Sequence, residues 1–511
     1  MKRARDPGAY VLLFFLCFFV LLSSGRIASS DAGHQLQASV MLALTGRLGD
    51  DGGAGQSAGP SNDAWVRAPN GRLYQAHDIG NIALMLPSAW LGSRLSAASD
   101  AEDMRNPPAL SKVGVSLSCA CLAALGCFWL FRLFALYWDQ KTAFLLALAF
   151  PATTIFIAYA RAAWDVLGGS IFVCGVLYYS AALLRSMTPG RASLLLAGTL
   201  AGACSFRFAL APFLVPAAGV VLFSARRSVP ARSIAASVLL LSLLMLPSLA
   251  YNLIRTGSPF RPATASEQYL QGANALTGNL AHGLYGLFLS PNRGLFLFSP
   301  VLLFAIAVPL LWRRLQPDQR KVLVCYGTSS FAYVLLIAKM ENWGAFGWGP
   351  RYLVPILPVV FVAASIGLQQ LYRPVKPLVV ASLVFSAALT LPPAVINWHL
   401  ATTTFDGAAD PYGALPFQQV AGWRALAWGL QGTPLPVSQD VADDPLRATT
   451  GTFPDLLIAR VAHHSRAGLC AVVIFGTAGV LVALLCARRA LVQGATAPDC
   501  AGLPAGPEHH G

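Results

Sequence analysis

Apolar runs close to the length of a bilayer crossing recur from one end of this chain to the other, and they constrain its fold more than any other feature. A helix needs roughly 20 apolar residues to cross, because nothing inside a bilayer satisfies backbone polar groups except the helix itself. Candidate crossings lie at 10–22, 113–136, 141–159, 163–184, 233–251, 294–312, 322–338, 352–368, 377–395 and 468–486. The stretch 192–223 is too long for one crossing and short for two. Ser205-Phe206-Arg207 and Pro212 interrupt it, so it reads as a tight hairpin of two. Only 11% of the 511 residues are charged, against about 25% in soluble domains. An all-α polytopic membrane protein is expected, not a string of soluble domains.

Charge then orients the chain. The formal net charge of +14 does not imply nucleic acid here, since Lys and Arg collect in the cytoplasmic loops of membrane proteins and no nucleic-acid module is visible. The run at 79–91 contains Asn81, Pro87 and Ser88 and is marginal as a crossing. If it lies on the membrane surface, Lys141, Arg185, Arg191, Arg226, Arg227, Arg232, Arg313, Arg314, Arg320, Lys321, Arg373, Lys376, Arg488 and Arg489 all face the cytoplasm. If it crosses, every one of them moves outside. The positive-inside rule selects the surface helix and about 12 crossings, with both termini inside. Lys2, Arg3 and Arg5 precede the first run, which is read as an uncleaved span; the small residues Ala28-Ser29-Ser30 leave a cleaved signal peptide as the alternative.

The expected organisation is a transmembrane module at 1–396, whose first outer loop covers 25–112, then an outer loop region at 397–466, a final helix at 467–487 and a disordered cytoplasmic tail at 488–511. This topology gathers Asp31, His34, His77, Asp78, Asp165, Arg207, Lys339, Glu341 and Arg351 on the outer face, while the inner loops are short and basic. Nine of the ten cysteines fall within apolar runs, as small packing residues do, so no disulfide framework is expected.

Asp31, in Ser29-Ser30-Asp31-Ala32-Gly33-His34, and Asp165 are carboxylates at the outer ends of spans. Desolvating an acid there is costly, and such a group can act as general base toward a hydroxyl. Structural alternatives are a helix cap for either, and for Asp165 a local ion pair with Arg161 at i, i+4 spacing. Ser290-Pro291-Asn292-Arg293 places a guanidinium at the head of a span, suited to a phosphate or to lipid headgroups. The stretch from Glu341 to Tyr352 alternates aromatics with glycines, including Trp343, Trp348 and Arg351. Such residues stack on sugars, although aromatic belts also flank ordinary spans. Asp31 and His34 have the spacing of a metal pair, but no HExxH-type array exists, and a divalent cation is left open. The chain has no P-loop and no Rossmann glycine fingerprint. Asp50-Asp51 and Asp443-Asp444 are not Asp-x-Asp, so a nucleotide-sugar donor is not expected.

Together these residues resemble the GT-C superfamily of polytopic glycosyltransferases, in the branch of protein O-mannosyltransferases, aminoarabinose transferases and their bacterial relatives. Asp31 matches the catalytic Asp of the family's first loop, with Ala32 where the family usually has Glu. The segment 74–91 is similar to its juxtamembrane helix. Asp165 matches the acid of the next outer loop, and Arg207 an arginine after the following span. The resemblance implies a polyprenyl-phosphate-linked sugar donor and inverting transfer at the outer face of the cell membrane. Asp31 would then be the general base and Asp165 would position the acceptor or a cation. Arg207, Arg293 and Arg351 would hold the donor phosphate, with His77, Glu341 and Trp343 binding substrate. A polytopic transporter or a flippase for lipid-linked saccharides is the main alternative; a polysaccharide polymerase or ligase and a non-catalytic relative are others.

Overall fold

The computed structural model describes residues 7–27, 29–50, 64–96, 106–265, 275–345, 347–404, 416–432 and 453–464, with short pieces between 477 and 489. Of the final helix expected at 467–487, residues 477–482 and 484–485 are described and are helical; the rest of it, and the tail at 488–511 apart from 488–489, lie outside the described residues.

Helix α1 (Gly8–Leu22) is apolar on all sides and leads into a second helix, α2 (Ser30–Thr45). Ser29 starts α2 by accepting the Ala32 N–H at 3.2 Å, and Gly46 ends it in the left-handed conformation. This helix falls inside the region read from sequence as a long polar loop. A two-stranded antiparallel hairpin follows, β1 (Trp65–Arg67) against β2 (Leu73–Gln75), with Val66 opposite Tyr74. It leads directly into α3 (Ile79–Leu95), the run whose placement decided the charge parity.

Most of the expected crossings appear as helices: α4 (Ala109–Phe134), α5 (Gln140–Thr153), the short α6 (Phe156–Ala160), α7 (Asp165–Leu184), α8 (Pro189–Phe206), α9 (Ala211–Ser224) and α10 (Ala231–Thr256). After α11 (Leu280–Leu289) come α12 (Pro317–Ala338), α13 (Leu357–Leu371) and α14 (Lys376–Val395). Among the described residues, six helices are both long and apolar enough to cross a membrane. The run 192–223 divides into two helices, α8 and α9, at Arg207.

Two expected crossings are not single helices. The 141–159 run splits at Thr154 into α5 and α6, and 294–312 is a broken helix containing the 3-10 turn Pro300–Ala307. The breaks support each other. Ser299 Oγ accepts the Ile155 N–H at 3.1 Å, and Ser386 Oγ accepts the Val301 N–H at 3.0 Å. Backbone donors freed by irregular turns are thereby satisfied inside the protein, which is the condition for such turns at membrane depth.

The core is built around α7 and α13, both buried over most of their length. Helix α10 is the opposite case. It presents Val238, Leu239, Leu243, Leu244 and Leu246 to the outside, an apolar surface of the kind lipid covers in a multi-pass membrane protein. The ends of the helices sort by chemistry. At one end Arg185, after α7, donates to Leu136 O after α4 and lies 3.1 Å from Asp318 at the start of α12. At the other end lie the starts of α2 and α7, the ends of α8, α10 and α12, and the approach to α13.

Candidate active site

The polar end is assembled from segments far apart in sequence. Asp31 sits in the first turn of α2 and Asp165 opens α7, so each carboxylate meets the positive end of a helix dipole. His77 lies between β2 and α3, where Asp78 occupies the cap position. Arg207 follows α8 in an extended conformation (φ −148°), turning its side chain away from the helix path. Arg351 begins the 3-10 turn Arg351–Ile356 that leads into α13.

Five of these side chains, all but Asp78, form a continuous ionic chain. Arg351 Nη1 is 2.9 Å from Asp31 Oδ2, and His77 Nε2 is 3.9 Å from the same oxygen. The other imidazole nitrogen, Nδ1, lies 3.6 Å from Asp165 Oδ2, which Arg207 Nη1 approaches at 3.4 Å. Arg207 Nε donates to Tyr333 OH at 3.0 Å. The two guanidiniums share the Tyr352 ring, at 5.0 and 5.2 Å from its centroid, and Arg351 also covers Trp164 at 4.6 Å. Among the five, Asp31 is the most accessible: its side chain is 30% exposed, while the other four are 11–13% exposed.

The electrostatics follow from this arrangement. Burial alone would push the Asp31 carboxyl up, but Arg351 and His77 outweigh it and hold the group below its usual value. Burial pulls the His77 imidazole down, yet Asp165 and Asp31 together raise it. Two carboxylates face two permanent cations and an imidazole that gains a proton readily. The cluster is therefore neutral with His77 neutral and singly positive with His77 protonated, and the protonated form suits an anionic ligand. An ionised carboxylate at the rim, backed by two arginines, can take a proton from a hydroxyl while positive charge behind it receives a departing anion.

The remaining sequence candidates lie nearby but do different work. Arg293 Nη1 donates to Gly344 O at 2.7 Å, and Glu341 Oε1 accepts from Thr277 Oγ1 at 2.8 Å. Trp343 is buried against Gly286. Arg293 and Glu341 thereby tie the segment 277–293 to residues 341–344, and Trp343 packs over Gly286 between them. His34 Nδ1 pairs with Gln37 Oε1 at 3.2 Å. Among the described residues no three His, Cys, Asp or Glu side chains converge as metal ligands.

Arg161 is not the local partner of Asp165. Its Nη2 reaches Asp455 at 3.2 Å, while Nε and Nη1 donate to Leu22 O, Pro393 O and Ile396 O. Arg26 approaches the other Asp455 oxygen at 2.8 Å, as does Arg460 at 2.9 Å. The described parts of 397–466 thus belong to the same frame. They contain the helices Trp398–Thr404, Phe417–Leu430 and Leu457–His464, and Gln418 bonds to both Gly347 and Gly349.

No protein-family model matches the chain, and neither does any curated protein. Among solved structures the chain is similar to the crystal structure of ArnT from Cupriavidus metallidurans bound to undecaprenyl phosphate. The two are 14% identical, the likeness covers 95% of this chain and 77% of that one, and the TM-score is 0.48. At that level it bears on neither the site residues nor the substrate.

Proposed function

We propose that this chain is a glycosyltransferase of the cell membrane, moving a sugar from a polyprenyl-phosphate donor to a hydroxyl of a lipid, glycan or protein at the outer face. The observation that carries the reading is the ionic chain Arg351–Asp31–His77–Asp165–Arg207, with Asp31 at its accessible rim. It joins five of the candidate residues named from the sequence: Asp31, His77, Asp165, Arg207 and Arg351.

In this scheme the acceptor oxygen attacks the anomeric carbon with inversion, and its proton passes to Asp31. The bond from the anomeric carbon to the phosphate oxygen breaks, leaving its electron pair on the lipid phosphate. Arg351 and Arg207 stabilise the charge that grows there. Asp165 holds His77 and Arg207 in register. Arg293 supports the loop that carries Arg351, and Glu341 and Trp343 support it from behind. Should a divalent cation take part, Asp31 and Asp165 are the carboxylates of the ionic chain that would hold it.

The test is transfer by the purified protein in lipid nanodiscs supplied with a polyprenyl-phosphate sugar and candidate acceptors. Release of free polyprenyl phosphate together with a glycosylated acceptor supports the reading. Movement of an intact lipid-linked sugar between leaflets, with no bond broken, would replace it with a flippase.

A further inference from the structure

We propose that Asp78 and Arg255 form a buried latch that sets the positions of His77 and Arg207, making both of them positioning residues for the reaction proposed above. Arg255 lies in the last turn of α10, with its side chain fully buried and that of Asp78 9% exposed. Its Nη1 converges on three consecutive carbonyls, Gln75 O at 2.9 Å and Ala76 O and His77 O at 2.8 Å each. Its Nη2 donates to Asn252 Oδ1 at 2.6 Å and faces Asp78 Oδ1 at 3.5 Å. Tyr251, beneath the guanidinium at 4.0 Å, donates to Gln75 O at 3.1 Å. One turn of α10 therefore fixes the backbone on which His77 is carried.

Asp78 extends the hold to the other side of the cluster. Its second oxygen, Oδ2, accepts the Phe208 N–H at 2.8 Å, the amide that directly follows Arg207. Gly80 allows this approach, because a Cβ there would come within 2.6 Å of Phe206 N and of the Ser205 carbonyl. One carboxylate and one guanidinium thus tie α10, the start of α3 and the end of α8 together. Neither touches Asp31 or the rim. Burying this many polar groups is costly unless all are satisfied, so the pair is worth keeping only if the geometry it sets matters. A misplacement of about 1 Å can cost on the order of 100-fold in rate.

The test is a double-mutant cycle on transfer activity in nanodiscs, with Asp78→Ala and Arg255→Gln. Each single variant is expected to lower kcat by about 100-fold while the KM for the donor changes by less than about threefold. The double variant should fall no further, whereas independent sites would multiply to roughly 10,000-fold. If these fail to fold, Asp78→Asn (which keeps an acceptor for Phe208) and Arg255→Lys repeat the cycle with smaller steps. A second readout needs no activity: the imidazole resonance of His77, assigned by its absence in His77→Gln, is titrated by NMR. His77 is faced by Asp31, Asp165 and Arg351, with Asp78 beside it and Arg255 on its carbonyl. Its midpoint should fall when the latch is cut. Multiplicative losses, or folded variants with unchanged midpoint and kcat, overturn the latch. A shifted midpoint in a protein whose wild type transfers no sugar supports the latch and removes the transferase reading instead.

Discussion

Arg351 Nη1 lies 2.9 Å from Asp31 Oδ2, although the two residues are 320 positions apart in the chain. The contact places the most exposed carboxylate of the cluster against a guanidinium already stacked on Trp164 and Tyr352. Asp31 is thereby kept ionised, and it needs only a ligand on its open side.

Replacing Asp31 with Asn should lower transfer by about 100- to 10,000-fold, the usual contribution of general-base assistance. Product formation from a lipid-phosphate sugar measures this. Near-normal turnover in the Asn variant would sink the assignment.

Arg351→Gln should move the acid limb of the rate–pH profile to higher pH. Burial opposes ionisation of Asp31 and Arg351 is the strongest group overcoming it, so without that cation the carboxyl rises. The rate at low pH falls first, because it needs the ionised form. An Arg351→Lys protein should lie between the two, since it restores charge but not the planar stack on Trp164.

His77 gives a stability signature of opposite sign. Its folded value is raised above the ordinary one by Asp165 and Asp31 after burial is overcome. The stabilisation is therefore fully present below the unfolded value of about 6.5 and is lost as pH rises through the folded value. Thermal unfolding in detergent should show wild type exceeding His77→Gln by more at pH 6 than at pH 9. An equal gap at both would contradict the ionic chain.

Asp455→Ala should destabilise the protein by about 3–5 kcal/mol, the cost of leaving buried charges uncompensated. Arg26 and Arg161, whose side chains are 5% and 4% exposed, both depend on that carboxylate. Thermal unfolding of the solubilised protein measures the loss, and a melting point equal to wild type would show the knot to be dispensable.

Asp31, Asp165, Arg207 and Arg351 could be picked out from sequence because each sits at a boundary between apolar and polar chain, where charge parity assigns a side. Arg161 could not be read in this way. Its spacing to Asp165 suggested a local pair, but the helix ends at Arg161 and Trp164 is extended before α7 begins, so the two are not on one helix, and Arg161 turns toward a residue 294 positions later. Helix α2 was missed because its mixture of Gln, His, Ser and Gly carries a weak periodic signal, and its cap at Ser29 is one serine among several. The broken helix at 295–311 reads as a continuous span because hydropathy does not register 3-10 geometry. Charge parity placed Asp78 on the outer face, but nothing in the sequence paired it with Arg255, since a lone acid and a lone arginine acquire a joint meaning only when the fold brings them together.

The knot at Asp455 also has a consequence for biosynthesis. Arg161 emerges from the ribosome 294 residues ahead of its carboxylate partner, an interval of roughly 15–60 s at about 5–20 residues per second. Until then the frame beneath Asp31 holds guanidiniums without their counter-charge. Chains arrested short of Asp455 should be selectively cleared by membrane quality control, which pulse-labelling of truncated products would register as a sharp gain in lifetime once that residue is included.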